Sequence, residues 1–96
     1  MKVRLTRAAR RDLEAIWTWS AEQWGEAHAD AYIDRLVLRM TWLTQNRGLW
    51  RQRPEILEGV FSFTETSHVI WFSAADDAIG ILRALHGRME PRGRME

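Results

Sequence analysis

A chain of 96 residues with 46% hydrophobic and 28% charged side chains has the composition of one folded domain and is too apolar to be a disordered segment. It holds no cysteine, which excludes a disulfide framework and a thiolate zinc site and leaves no reason to place it in an oxidising compartment. The formal net charge of +1 conceals a segregation of sign: residues 1–11 carry Lys2, Arg4, Arg7, Arg10 and Arg11 and no acid, whereas residues 12–34 carry Asp12, Glu14, Glu22, Glu26, Asp30 and Asp34 and no Lys or Arg.

The opening "KVRLT" alternates polar and apolar residues, with Val3 and Leu5 on one face, as a short half-buried strand does. Thr6 is placed to cap a helix over residues 7–24, in which Ala9, Leu13, Ile16, Trp17, Ser20 and Trp24 follow the spacing of one helical face and Gly25 ends the run. A second stripe, Ala29, Tyr32, Ile33, Leu36, Met40 and Leu43, predicts a helix over residues 26–46. With only a glycine between them, the two helices fold back as an antiparallel hairpin.

"RGLWRQRPEILEG" is punctuated as a loop by its glycines and Pro54. Strand signals follow in "VFSFTE", "HVIWFSA" and "AIGILRALHG", joined by connections short enough for hairpins. The expected fold class is α+β: an N-terminal strand, an antiparallel helical hairpin, then a three-stranded antiparallel meander, in a single domain spanning residues 1–96. Periodicity does not identify the partner of the first strand. The N-terminus lacks the apolar core of a signal peptide and no segment is long and apolar enough to span a bilayer, so the expectation is a cytoplasmic protein with no membrane association.

No phosphate-binding glycine loop, nucleophile elbow or cysteine nucleophile is present, so no cofactor is expected. Glu22, Glu26, His28 and Asp30 do not match a metal-ligand spacing and read as a solvated face, so no metal is expected either. His28 and His68 read as surface or capping residues. Trp17 and Trp24 fall on the core stripe, while Trp19, Leu38, Trp42 and the loop residue Trp50 fall outside both stripes and suggest a surface for a partner.

Strict alternation along "ILRALHGRME" puts Ile79, Ile81, Arg83 and Leu85 on one face and Gly80, Leu82, Ala84 and His86 on the other. Arg83 then either pairs with a carboxylate such as Glu65 or lines a cleft, because a buried guanidinium without a partner is too costly. Residues 87–96, with Gly87, Pro91, Gly93, Arg88, Arg92 and Arg94, are expected to extend as a mobile basic segment.

The order of elements, with "RLTRAARRDLEAIWTWSAEQWG", the Ala, Tyr-Ile-Asp-Arg-Leu pattern of the second helix, "GLWRQRPEILEGVFSF" and "HVIWFSAADDAIGILRALHGRMEP", resembles the ParE toxins of bacterial type II toxin-antitoxin modules, within the RelE/ParE superfamily. The resemblance implies a toxin held inactive by a ParD-like antitoxin and acting, when free, on DNA gyrase. With it, target contacts are expected on the strand end and tail, at Arg83, His86, Arg88, Arg92 and Arg94, and the antitoxin is expected on the residues that fall outside both core stripes, Trp19, Leu38, Trp42 and Trp50. RelE-like relatives instead cut mRNA on the ribosome with a basic patch and a Tyr or His near the C-terminus. This chain departs from that pattern, since its only tyrosine is Tyr32 on a helix. The endonuclease alternative would rest on His86 as general acid with Arg83 and Arg88 as phosphate-binding charges. The acidic and basic stretches on one molecule permit a homodimer, and the resemblance a toxin-antitoxin heterotetramer.

Overall fold

Strand β1 (Lys2–Leu5) stops at Thr6, whose Oγ1 accepts the Ala9 N–H at 3.0 Å and so caps helix α1 (Arg7–Trp24). At Gly25 the backbone turns at φ 93°, which a residue with a side chain resists. The Gly25 N–H closes α1 on the Ala21 carbonyl, and the Gly25 carbonyl accepts the Ala29 N–H to open helix α2 (Glu26–Leu43). One residue therefore ends one helix and begins the next, which forces the antiparallel hairpin. The expected second helix is shorter at its end: Thr44, Gln45 and Asn46 donate to carbonyls three residues back, a tightened last turn, and Asn46 Nδ2 binds the Trp42 carbonyl at 2.7 Å.

In this computed structural model, which describes residues 1–95, a 3-10 turn (Arg47–Leu49) leads into β2 (Arg51–Gln52), β3 (Phe61–Glu65), β4 (His68–Ala75) and β5 (Ala78–His86). The expected meander is β3, β4 and β5. Two additions complete a five-stranded sheet of order β1-β5-β4-β3-β2: β1 lies parallel beside β5, and the two-residue β2 forms the opposite edge. The hairpin turns place Thr66 and Asp76 in the left-handed region, at φ 55° and 54°.

β1 pairs only with Ala78–Ile81, so the second half of β5 has an uncovered edge. The start of α1 covers it. The Thr6 N–H donates to the Ile81 carbonyl at 3.0 Å, Thr6 Oγ1 donates to the Leu82 carbonyl at 2.8 Å, and Asp12 Oδ2 accepts the Ala84 N–H at 2.9 Å. Three backbone groups left by the short first strand thus find a side-chain or cap partner.

A bulge between Trp71 and Phe72, with Leu82 as the extra residue of β5, reverses the alternation halfway along that strand. Ile79 and Ile81 face the helices with Ala9, Met40, Leu43, Ile70 and Phe72, and Ala84 joins Ile16 and Leu36 on the same side. Leu85, expected on the face of Ile79 and Ile81, lies instead on the far side with Val60, Trp71 and Leu82.

That far side also receives the tail. Met95 is only 7% exposed against Val60, Trp71 and Leu85, and the Arg94 carbonyl accepts a 3.2 Å bond from Arg83 Nη1. The expected mobile extension is therefore corrected: the chain after β5 turns back and caps the outer face, because one methionine supplies apolar area that the intervening Gly, Pro and Arg residues lack. Met95→Ala is expected to cost about 2 kcal/mol, the low end for truncating a buried methionine, and deletion of residues 91–96 to lower the melting temperature further. A deletion variant melting like the parent would show that the tail is not docked.

Two tryptophans also change places relative to expectation. Trp24, on the apolar stripe, is 66% exposed at the hinge end of α1. Trp50, expected on a partner surface, packs beside the core, its ring 5.1 Å from those of both Phe61 and Phe72 and its Nε1 donating to the Leu43 carbonyl at 2.8 Å. Among the described residues no helix is long and apolar enough to cross a membrane.

Candidate functional site

Between the hinge half of the helical hairpin and the β3–β4 turn with the end of β5 lies a cleft of about 600 Å³. Trp19, Trp24 and His28 form its helical rim, and Tyr32, His68 and His86 form its polar floor. All three histidines and the single tyrosine of the chain therefore line one space. Trp19 is 59% exposed, and the ring of Trp24 stands 5.8 Å from that of His28, so the rim is aromatic and open.

The floor is a coupled group. The Tyr32 hydroxyl lies 2.6 Å from His68 Nδ1, and the His68 ring meets the His86 ring edge-on at 5.5 Å. Burial, and then the neighbouring His86 charge, hold the His68 pKa below the ordinary histidine range. His68 is accordingly neutral near pH 7, and its Nδ1 shares one hydrogen bond with the Tyr32 hydroxyl, a group that can donate or accept. Burial also raises the Tyr32 pKa, with a Ser67 backbone hydrogen bond opposing it. Proton uptake by His68 favours the unfolded chain, whose histidine titrates near pH 6.5. The stability His68 supplies is complete above that pH and is lost as pH falls through its lower folded-state pKa. The melting temperature should therefore decline from about pH 7 to pH 5, and His68→Gln should flatten that slope; an equally steep decline in the variant would contradict the assignment.

A second surface lies on the outer side of α2. Leu38 is 70% and Val37 43% exposed, and Leu38 and Trp42 edge a shallow groove of about 510 Å³ together with Ala31, Asp34, Arg35 and Arg39. Trp42 is half-buried: its ring lies 5.2 Å from Phe63, and the Arg39 guanidinium covers it at 4.4 Å. Of the four expected antitoxin contacts, Trp19 and Leu38 are open, while Trp42 and Trp50 are both half-buried and packed against the core.

The expected target contacts do not converge. Arg83 is clamped by Asp12 in a bidentate pair, Nε to Oδ2 at 2.7 Å and Nη2 to Oδ1 at 2.8 Å, and these bonds raise its pKa further. Its partner is thus Asp12, not Glu65, whose carboxylate takes Arg39 Nε at 2.6 Å. His86 lines the cleft, but Arg88 offers it only a backbone N–H, to Nδ1 at 3.1 Å. The trio of Arg83, His86 and Arg88 is not assembled as a phosphate site. Arg92 pairs with Glu90 at 3.2 Å, and Arg94 Nε donates to the Glu90 carbonyl at 2.7 Å.

Sequence reasoning missed Tyr32, His68, Trp24 and His28 as members of one site. The signal was hidden in register. A hairpin without a bulge, continued from the Ala75–Ala78 pair, puts His68 opposite Leu85; the extra residue in β5 puts it opposite His86. Among the described residues no three His, Asp or Glu side chains are grouped to hold a metal.

The family model for the ParE toxin of the type II toxin-antitoxin system, parDE, matches residues 3–91. Toxin ParE1 of Caulobacter vibrioides is 28% identical over 92 residues, covering 96% of this chain and 95% of that one. Toxin ParE1 of Mycobacterium tuberculosis is 29% identical over 87 residues, covering 90% and 89%. A chain of the chromosomal ParDE TA system from P. aeruginosa superposes with a TM-score of 0.78 at 26% identity, over 90% of this chain and 95% of that one. The RelBE2 toxin-antitoxin complex from Mycobacterium tuberculosis shares the fold at a TM-score of 0.69 and 21% identity, over 88% and 95%. With the family model spanning nearly the whole chain and the helical hairpin over a mixed sheet recurring in these structures, the chain belongs to the ParE toxin family of type II toxin-antitoxin systems.

Proposed function

We propose that this chain is a toxin that inhibits DNA gyrase by binding it and is neutralised by a ParD-like antitoxin. The observation that supports this reading most is the uncovered apolar surface of the helical hairpin, where Trp19, Trp24, Val37 and Leu38 are each at least 43% exposed. Large aromatic and aliphatic side chains in that arrangement serve as anchors for a protein partner. A segment of the antitoxin lying along α2 would cover Leu38 and Trp42, and its continuation would place an apolar side chain in the cleft between Trp19 and Trp24. The resulting assembly is a toxin-antitoxin complex, a heterotetramer where two toxin-antitoxin pairs associate. Family membership supports gyrase as the target, reached through the strand end and tail once the antitoxin has left.

The competing reading is RelE-like cleavage of ribosome-bound mRNA, and the Tyr32, His68 and His86 group favours it as a ready acid-base cluster. Against it, Arg83 is neutralised by Asp12, which leaves Arg35 as the one guanidinium among the residues lining the cleft, fewer charges than a clamp on a transferring phosphoryl group uses. Supercoiling by purified gyrase and translation in a cell extract, measured in parallel with the free chain, separate the two. Blocked supercoiling or accumulated cleaved DNA with intact mRNA is the expected result; cut mRNA with unaffected gyrase would replace the proposal with the nuclease reading.

A further inference from the structure

Both basic chain ends meet at one edge of the molecule. Arg83 links them, since its guanidinium holds Asp12 of α1 and also donates to the Arg94 carbonyl of the returned tail. Nearby in the chain, Arg4 on edge strand β1 lines a pocket that also holds Asp76 and Asp77, Arg7, Arg10 and Arg11 are exposed on α1, and Arg94, whose Nε donates to the Glu90 carbonyl, is exposed on the tail. Among the described residues none of these five arginines takes part in an ion pair. Arg7, Arg10 and Arg11 stand at i, i+3 and i+4, so their side chains are neighbours on the helix surface.

This placement works against stability. The first turn of α1 contains no acid, and its positive end faces three guanidinium groups, where carboxylates would be favoured. The acid nearest in sequence, Asp12, is committed to Arg83 and the Ala84 N–H. A chain that keeps unpaired like charges at the wrong helix end has broken a local rule, and such breaks concentrate at functional surfaces.

The kind of ligand follows from what the edge lacks. The large exposed apolar residues, Trp19, Trp24, Val37, Leu38, Leu49, Leu57 and Met89, all lie outside β1 and the first three turns of α1. A protein interface needs an apolar centre and a membrane-binding surface needs apolar anchors. A nucleic-acid interface needs neither, being polar and strongly positive. We infer that Arg4, Arg7, Arg10, Arg11 and Arg94 form a surface that binds the phosphate backbone of nucleic acid, a contact separate from the apolar surface assigned to the antitoxin.

The inference does not rest on gyrase, and its test uses none. The full chain is titrated into a short fluorescein-labelled DNA duplex, and anisotropy is followed from low salt to physiological ionic strength. Four to five phosphate contacts predict a log-log salt slope of about −4. Arg7→Glu/Arg10→Glu should weaken binding at least tenfold at low salt and make the slope shallower by about two, while raising the melting temperature because acids now occupy the helix N-terminus. Arg4→Gln, on the strand, should make the slope shallower by about one. Arg51→Glu, on the opposite sheet edge, should bind as the parent does. A matched RNA duplex bound with the same slope supports recognition of backbone charge alone, and a preference for DNA supports duplex DNA as the source. Undetectable binding at low salt, a slope near zero, or parental affinity in the Arg7→Glu/Arg10→Glu variant would overturn the inference.

Discussion

Asp12→Ala should lower the unfolding free energy by about 3 kcal/mol, a fall of roughly 10–20 °C in melting temperature for a domain of this size. The carboxylate performs three bonds at once: two to the Arg83 guanidinium and one from the Ala84 N–H on the edge that β1 leaves open. Removing it orphans a guanidinium whose side chain is only 20% exposed and strips β5 of an edge partner. The low end of the range for a broken buried pair applies, because both side chains keep some contact with water. Asp12→Asn retains an acceptor for Ala84 and should lose about half as much. Chemical denaturation of both variants checks this. If Asp12→Ala is as stable as the parent, the junction between α1 and β5 is held by apolar contacts alone.

Leu38→Glu should reduce antitoxin affinity by at least about 100-fold, or roughly 2.7 kcal/mol, while leaving the unfolding free energy of the free chain within about 0.5 kcal/mol of the parent. Leu38 is 70% exposed, so folding gains little from it, whereas a partner lying along α2 would have to bury a carboxylate in its place. The measurement is calorimetric titration of the free chain with a ParD-like antitoxin. Parental affinity in this variant would remove α2 from the interface. Trp50→Ala is the contrasting case: its ring packs on Phe61 and Phe72, so it should destabilise the fold before it affects any partner.

The helices were legible because their signals are local. Thr6 caps, Gly25 breaks, and the apolar spacing between them is unambiguous, so α1 falls on the expected residues and α2 differs only in its last turn. The central hairpins were legible for the same reason. What was not legible depends on contacts far apart in sequence. The partner of β1 is 76 positions away in register, from Lys2 to Ala78, and nothing in four alternating residues names it. The bulge at Trp71/Phe72 is a single-residue event that moves Leu85 to the outer face and His86 into the cleft. Trp24 obeys the helical spacing of a core residue, yet that end of the hairpin stands over a cleft and not over the sheet. Met95 lies in a stretch whose composition argues for a free tail, and only the apolar patch of Val60, Trp71 and Leu85 shows why it returns. Each error is a tertiary contact overriding a correct local pattern.

If the chain acts by binding its target and not through bond-breaking chemistry, His86→Ala is the variant that tests it most directly. His86 is exposed at the cleft floor and bears on both readings. Inhibition of gyrase supercoiling should be measured for the parent and for His86→Ala over the same concentration range. Both are expected to inhibit, with half-inhibitory concentrations within about tenfold of each other, the loss of one exposed contact. A parent that leaves supercoiling untouched while cutting ribosome-bound mRNA, with that cutting reduced by roughly 10²- to 10⁴-fold in His86→Ala as for loss of a general acid, would contradict that expectation.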